Sequence, residues 1–226
     1  MIAPDKVFLR RGQGGIGIDA FDPLSLSPSI YVHADSLRGS KNDGDAVATW
    51  PALAGGSPTA FVTKQPLFKV DVGGKVAVLF DGVDDWMGLV TPISAAGNFT
   101  MFAKMHRSAG ATMVAFGNTT SLIPIGLMQF GTDIYGSNTA GYNSGAANVS
   151  GWNSFVLTNT GGTLAIRANG APVTTSFSVF TGATEFNAIG VRNSNFGAGS
   201  IRCAGIIPSV VSGANLASLE SWLAAQ

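Results

Sequence analysis

The chain has 226 residues and a mass of 23.1 kDa, enough for one domain, or a domain plus an arm, whose core closes without disulfides or metals. Thirteen Lys and Arg balance thirteen Asp and Glu, so no excess positive field exists to hold nucleic acid or a membrane surface. Charged residues make up 12% of the chain, about half the usual share, and with a mean hydropathy of +0.29 this composition favours self-association and work inside a larger assembly, as a homo-oligomer.

The first 28 residues read as an arm. Val7 to Leu9 could pair as a short strand. Arg10-Arg11 and a glycine-rich stretch from Gly12 to Gly17 follow, and Pro23 and Pro28 forbid a regular helix beyond them. The alternative is an N-terminal strand that completes the main domain. Gly12-Gln13-Gly14-Gly15-Ile16-Gly17 fits GxGxxG, but no helix follows to present amides to a phosphate, so nucleotide binding is not inferred. The N-terminus lacks the apolar core of a signal peptide, and no stretch of 18 apolar residues exists to insert in a membrane.

Residues 29–226 break into short apolar runs between glycines and turns. Ile30 to Ala34, Leu67 to Val70, Val76 to Phe80, Trp86 to Val90, Phe99 to Met105, Met113 to Gly117 and Ile125 to Phe130 read as strands. Phe99, Met101, Ala103 and Met105 alternate, as one buried sheet face requires. Phe155 to Asn159, Leu164 to Ala168, Ala188 to Val191 and Ile201 to Ile207 continue the series. Asn159-Thr160-Gly161-Gly162-Thr163 and Asn169-Gly170 read as hairpin turns. Gly131 to Gly151 reads as a long loop on the rim. After Ser212-Gly213-Ala214-Asn215, which offers capping side chains, Leu216, Leu219 and Leu223 recur at helical spacing with Trp222 beside them. The expected fold is all-β: a two-sheet antiparallel jelly-roll sandwich with a short C-terminal helix and an extended N-terminal arm.

Several blocks resemble one family. Pro28-Ser29-Ile30-Tyr31-Val32-His33-Ala34-Asp35 is similar to the opening strand of concanavalin A-like (laminin-G-like) jelly-roll domains of bacteria and phages. Gly44 to Trp50 resembles their next element. Gly74-Lys75-Val76-Ala77-Val78-Leu79-Phe80-Asp81-Gly82-Val83-Asp84-Asp85-Trp86 resembles their apolar strand followed by Phe-Asp-Gly, an acidic turn and an aromatic. Gly151 to Phe155, Leu164 to Gly170, Phe186 to Gly190, Gly205 to Ile207 and the terminal helix resemble later elements. One departure is His33, where the family usually carries Asp.

The candidate chemistry is sparse. Glu185 and Glu220 are the only glutamates and belong to no acidic cluster, so the carboxylate pair of a glycan hydrolase is missing and the chain reads as no enzyme. Asp81, Asp84 and Asp85 are the candidate calcium ligands, the competing reading being a turn in which they cap local amides and point apart. No other cofactor is indicated. Ser, His and Asp occur without a nucleophile elbow, and His33 and His106 read as packing or hydrogen-bonding residues. Cys203, the single cysteine, excludes an internal disulfide and reads as a buried thiol. Trp50, Trp86 and Trp152 fall at core positions of the resembled family, leaving Tyr135 and Tyr142 as candidates for contact with a glycan or another subunit.

From residue 111 onward only Asp133, Arg167, Glu185, Arg192, Arg202 and Glu220 are charged, so the later half presents a neutral face that packs on neighbours cheaply. With the phage-type resemblance, this implies a virion structural component of the capsid-decoration, head-fibre or tail class, made in a host cytoplasm. Phe8, Arg10, Arg11 and Phe21 of the arm would dock on other virion proteins. The alternative is a carbohydrate-binding module for a host-surface glycan.

Overall fold

The computed structural model describes residues 21–71, 73–94, 97–108, 111–119, 127–130, 133–138, 141–146, 151–177 and 185–226. Seventeen strands and one α-helix are present among them. In chain order the strands are β1 (Ile30–His33), β2 (Ala52–Ala54), β3 (Leu67–Val70), β4 (Val76–Asp81), β5 (Met87–Ser94), β6 (Phe99–Arg107), β7 (Thr112–Phe116), β8 (Leu127–Phe130), β9 (Asp133–Asn138) and β10 (Gly141–Ala146). Then come β11 (Trp152–Thr160), β12 (Thr163–Ala168), β13 (Ala171–Phe177), β14 (Glu185–Ile189), β15 (Val191–Arg192), β16 (Asn195–Phe196), β17 (Ala198–Ile207) and the helix α1 (Gly213–Ala225).

The strands form an antiparallel sandwich. The larger sheet runs β13-β12-β11-β6-β17-β1-β2, with β4 also pairing β17 and β3 pairing β4. The second layer contains β10-β9-β8-β7 and the pair β14-β5, and a bridge between Gly117 and Ala188 carries the ladder from the first to the second. Alternation explains the core. Met101, Ala103 and Met105 of β6, Phe155 and Leu157 of β11, and Val76, Val78 and Phe80 of β4 all point between the layers. Asn169 and Gly170 turn β12 into β13 with φ of 49° and 81°, the left-handed conformation that a two-residue hairpin requires and that these residues tolerate.

The other face of the larger sheet is also covered. Tyr31, Phe102, Val156, Cys203 and Ile207 point outward and pack against Leu219 and Leu223 of α1. This outer cluster accommodates a second layer of bulk because Gly205 leaves its place to the Phe102 ring, which a β-carbon there would strike. Arg167 of β12 clamps Glu220 with Nε–Oε1 at 2.5 Å and Nη2–Oε2 at 3.2 Å, fixing the middle of the helix to the sheet. Ser212 occupies the N-cap position without a side-chain hydrogen bond, so the expected capping side chain is replaced by docking of the apolar face.

Residues 21–28 lie against this helix-covered face. Pro23–Leu26 form a 3₁₀ turn capped by Asp22, whose carboxylate accepts from Leu24 N–H. Among the described residues no helix is long and apolar enough to cross a membrane.

Candidate functional site

Beyond the end of α1 the outer face of the larger sheet is polar. A cleft of about 300 Å³ opens there between β3–β4 and the ends of β6, β11 and β17. Trp152, His106, Ser200, Arg202, Asp43 and Asp71 are among its walls, with Lys69 and Lys75 at one side. Strand parity places them: Trp152, His106 and Ser200 fall on the outward positions of their strands, opposite the core residues between them.

Arg202 reaches the cleft by a different route. The β17–β6 register shifts between Ile201 and Cys203, so Arg202 is the extra residue of a β-bulge. The bulge sends Arg202 and Cys203 to the same outer side. Arg202 is 4% exposed, and its charge is answered from several sides. Nη2 donates to Asp71 Oδ2 at 3.0 Å, Nε to Val76 O at 3.3 Å, and Nη1 to Gln226 O. The guanidinium carbon lies 4.2 Å from the Trp152 ring centroid, a cation–π distance. Burial lowers its pKa, and Asp71 opposes that shift.

The two cleft carboxylates are held ionised. Asp71 lies below the ordinary range because Lys75 N–H donates to it, with Gly73 N–H and Arg202 adding to the effect. Asp43 is lowered chiefly by Val70 N–H and then by Lys69, whose Nζ is 3.5 Å away. Lys75 Nζ donates to Ala225 O at 3.1 Å and Gln226 O at 2.8 Å, so Lys75 and Arg202 together satisfy the last carbonyls of α1. Carboxylates as acceptors, cations as donors and an indole face are the groups that bind hydroxylated rings.

Next to the cleft, Lys104 is buried, its Nζ donates to Ser154 Oγ at 3.1 Å, and burial lowers its pKa. The Cys203 thiol is fully buried and pushed up to about 12, in keeping with an inert core sulfur. His33 accepts Asp35 N–H at Nδ1 and meets Gln226 Oε1 at Nε2, and burial lowers its pKa. It is a hydrogen-bonding residue outside the cleft.

The sequence-derived candidates are scattered. Phe8, Arg10, Arg11 and the GxGxxG stretch lie outside the described residues. Phe21 packs against the outer apolar cluster of its own chain and lines a groove with Trp222. Tyr135 and Tyr142 sit on β9 and β10, opposite Ser144 and Ser137, and their side chains lie outside the described residues. The expected rim loop from Gly131 to Gly151 is therefore corrected to contain a β-hairpin. Asp81, Asp84 and Asp85 do not point apart: their carboxylate oxygens lie within 4.8 Å of one another. Asp81 Oδ1 accepts from Val83 and Asp84 N–H, and Asp85 Oδ2 from Asp81 N–H. The turn is thus closed by its own amides, and one carboxylate oxygen from each of the three residues forms a set that a hard cation could share. Trp50 is a core residue, fully buried with Nε1 donating to His33 O. Trp86 and Trp152 are not; both are half-buried at the surface.

Sequence reading missed Arg202, Asp71 and Lys75. One signal was available: a charge inside the apolar run Ile201-Arg202-Cys203-Ala204 demands a partner.

No family model and no curated protein matches the chain. Solved structures do. The chain is similar to a Trypanosoma rangeli sialidase in complex with sialic acid, at a TM-score of 0.59 and 14% identity, over 84% of this chain and 32% of that one. It is similar to domain 4 of AbnA, a GH43 extracellular arabinanase from Geobacillus stearothermophilus, in complex with arabinotriose, at 0.55 and 14%, over 87% of this chain and 98% of that one. An arabinofuranosidase complexed with arabinofuranosyl-alpha-1,2-xylobiose matches at 0.60 and 14%, over 80% and 51%. The chain therefore spans about a third of the sialidase and about half of the arabinofuranosidase. The shared fold is a β-sandwich of the kind found in glycosidases, in line with the expected jelly-roll class.

These likenesses correct two expectations. The virion structural component gives way, because the similar structures are carbohydrate-active proteins solved with sugars. The reading as no enzyme falls with it. The neighbours are glycosidases by name, and a count of glutamates alone does not separate this chain from them.

Proposed function

We propose that the chain is a carbohydrate-binding β-sandwich domain of the concanavalin A-like type that holds saccharide in the outer-face cleft. The observation that carries this reading is the cleft itself: an indole ring set among ionised carboxylates and cations fixed by hydrogen bonds. Trp152, half-buried with the Arg202 guanidinium over its ring at 4.2 Å, offers the remainder of its apolar surface to a sugar. Asp43 and Asp71 accept from hydroxyls, and Lys69 donates to them. The likeness over nearly the whole of an arabinanase domain solved with arabinotriose supports the same reading.

Calorimetric titration with arabinotriose, beside a glycan array, tests it. Saturable binding in the micromolar to millimolar range is expected, weakened about tenfold by Trp152→Ala, a loss of the size that a single aromatic contact residue causes. Absence of saturable binding to every arrayed glycan rejects the proposal. Loss on Tyr135→Ala or Tyr142→Ala in place of Trp152→Ala moves the site to the β9–β10 hairpin. Chromatography of the mixture reports whether the bound glycan is also cleaved.

A further inference from the structure

The cleft has two walls that come from distant parts of the chain. One is the turn from Asp71 to Lys75, between β3 and β4. The other is Trp152 at the start of β11. Among the described residues no strand pairing joins β11 to β3 or β4. Arg202 touches both walls and the end of α1 as well.

We infer that Arg202 is the positioning residue of the cleft, fixing the Trp152 ring and the Asp71 carboxylate in one geometry and tying both to the end of α1. This rests on the saccharide-binding reading above. The guanidinium is suited to the task because it is flat and carries divergent donors. Its face packs on the indole at 4.2 Å while its edges donate to Asp71, Val76 O and Gln226 O. Asp71 in turn binds Gly73 and Lys75 N–H through its other oxygen, so the carboxylate that Arg202 holds also sets the turn. A lysine at position 202 keeps the charge but cannot stack as a plane and reach three acceptors together. Arg202 is 4% exposed, so it acts through Trp152 and Asp71. A cleft ordered in advance loses less conformational freedom when a ligand arrives.

The test has a ligand-free arm and a ligand arm, both on the full chain. In the first, the indole N–H resonances are recorded for wild type, Arg202→Lys and Asp71→Asn, and Trp152 is assigned by its loss in Trp152→Phe. Arg202→Lys is expected to broaden the Trp152 resonance and quicken its hydrogen exchange. Trp50, buried and bonded to His33 O, stays unmoved and reports an intact fold. Unchanged Trp152 line width and exchange overturn the inference. In the second arm, arabinotriose, or the strongest binder on the array, is titrated. Arg202→Lys is expected to lose about tenfold in affinity, in line with loss of charge-assisted hydrogen bonds. Its effect should be non-additive with Trp152→Ala. Wild-type affinity in Arg202→Lys, or additive effects, overturns the inference. If no glycan binds wild type, the saccharide reading fails and the indole arm alone decides the role of Arg202. Should Arg202→Lys not fold, Asp71→Asn, which keeps an oxygen for Gly73 and Lys75 N–H but frees one edge of Arg202, is carried through the indole arm, where an unmoved Trp152 resonance overturns the inference.

Discussion

Asp85 is 7% exposed, and its carboxyl is raised above the ordinary range by burial, with Asp81 and Asp84 adding like-charge repulsion and Asp81 N–H opposing. The folded state therefore holds this proton more tightly than the unfolded state, whose Asp titrates at about 3.9. Between that value and the folded pKa the native state binds more protons, so stability falls as pH rises through the window, and the loss persists at neutral pH. Asp85→Asn keeps a side-chain oxygen for Asp81 N–H and removes the titration. Urea unfolding of both proteins from pH 3 to pH 7 is expected to show the variant gaining on wild type as pH rises. A constant difference across that range would show that Asp85 does not couple to stability.

At the level of elements, the C-terminal helix explains why the larger sheet is buried on both faces. Leu219 and Leu223 are fully buried on Tyr31, Phe102 and Val156, while Leu216 is only half-buried at the margin. Leu219→Ala is expected to cost about 2–5 kcal/mol in chemical denaturation, and Leu216→Ala clearly less. Equal costs would mean that the helix is not seated by this face. The helix also shows what local pattern can and cannot carry. Its leucine spacing was legible, and so were β3, β4, β6 and β17, where β-branched and aromatic residues lie between glycine turns. The alternation of Phe99, Met101, Ala103 and Met105 named the inner face of β6 correctly. The same rule leaves Phe102 facing water, and only α1, far along the chain, explains its burial. β9 and β10 escaped because Gly136, Ser137, Asn143 and Gly145 carry turn chemistry and no apolar alternation; the pairing of β10 with β9 and of β9 with β8 comes from the sheet, not from propensity.

For the molecule as a whole, the fold class was legible and the cleft was not, because its parts are ordinary when read singly. Trp152 sits where the resembled family packs its core, Asp71 lies in a short turn, and Arg202 lies in a strand. Only the bulge in β17 and the stacking of sheet, turn and helix end bring them together. That assembly sets the kind of ligand field the cleft presents. The chain carries no net charge, and the cleft charges are paired at contact distance, Asp71 with Arg202 at 3.0 Å and Asp43 with Lys69 at 3.5 Å. Such pairs present hydrogen-bonding groups with little long-range field. Raising salt from 0.1 M to 1 M shortens the Debye length from about 10 Å to about 3 Å, which screens a distant charge strongly and a hydroxyl contact hardly at all. Affinity for a neutral saccharide such as arabinotriose is therefore expected to change less than about twofold over that range. A steep loss with salt would show that the ligand is an anionic glycan gripped by Lys69, Lys75 and Arg202, with the ion pairs opened to receive it.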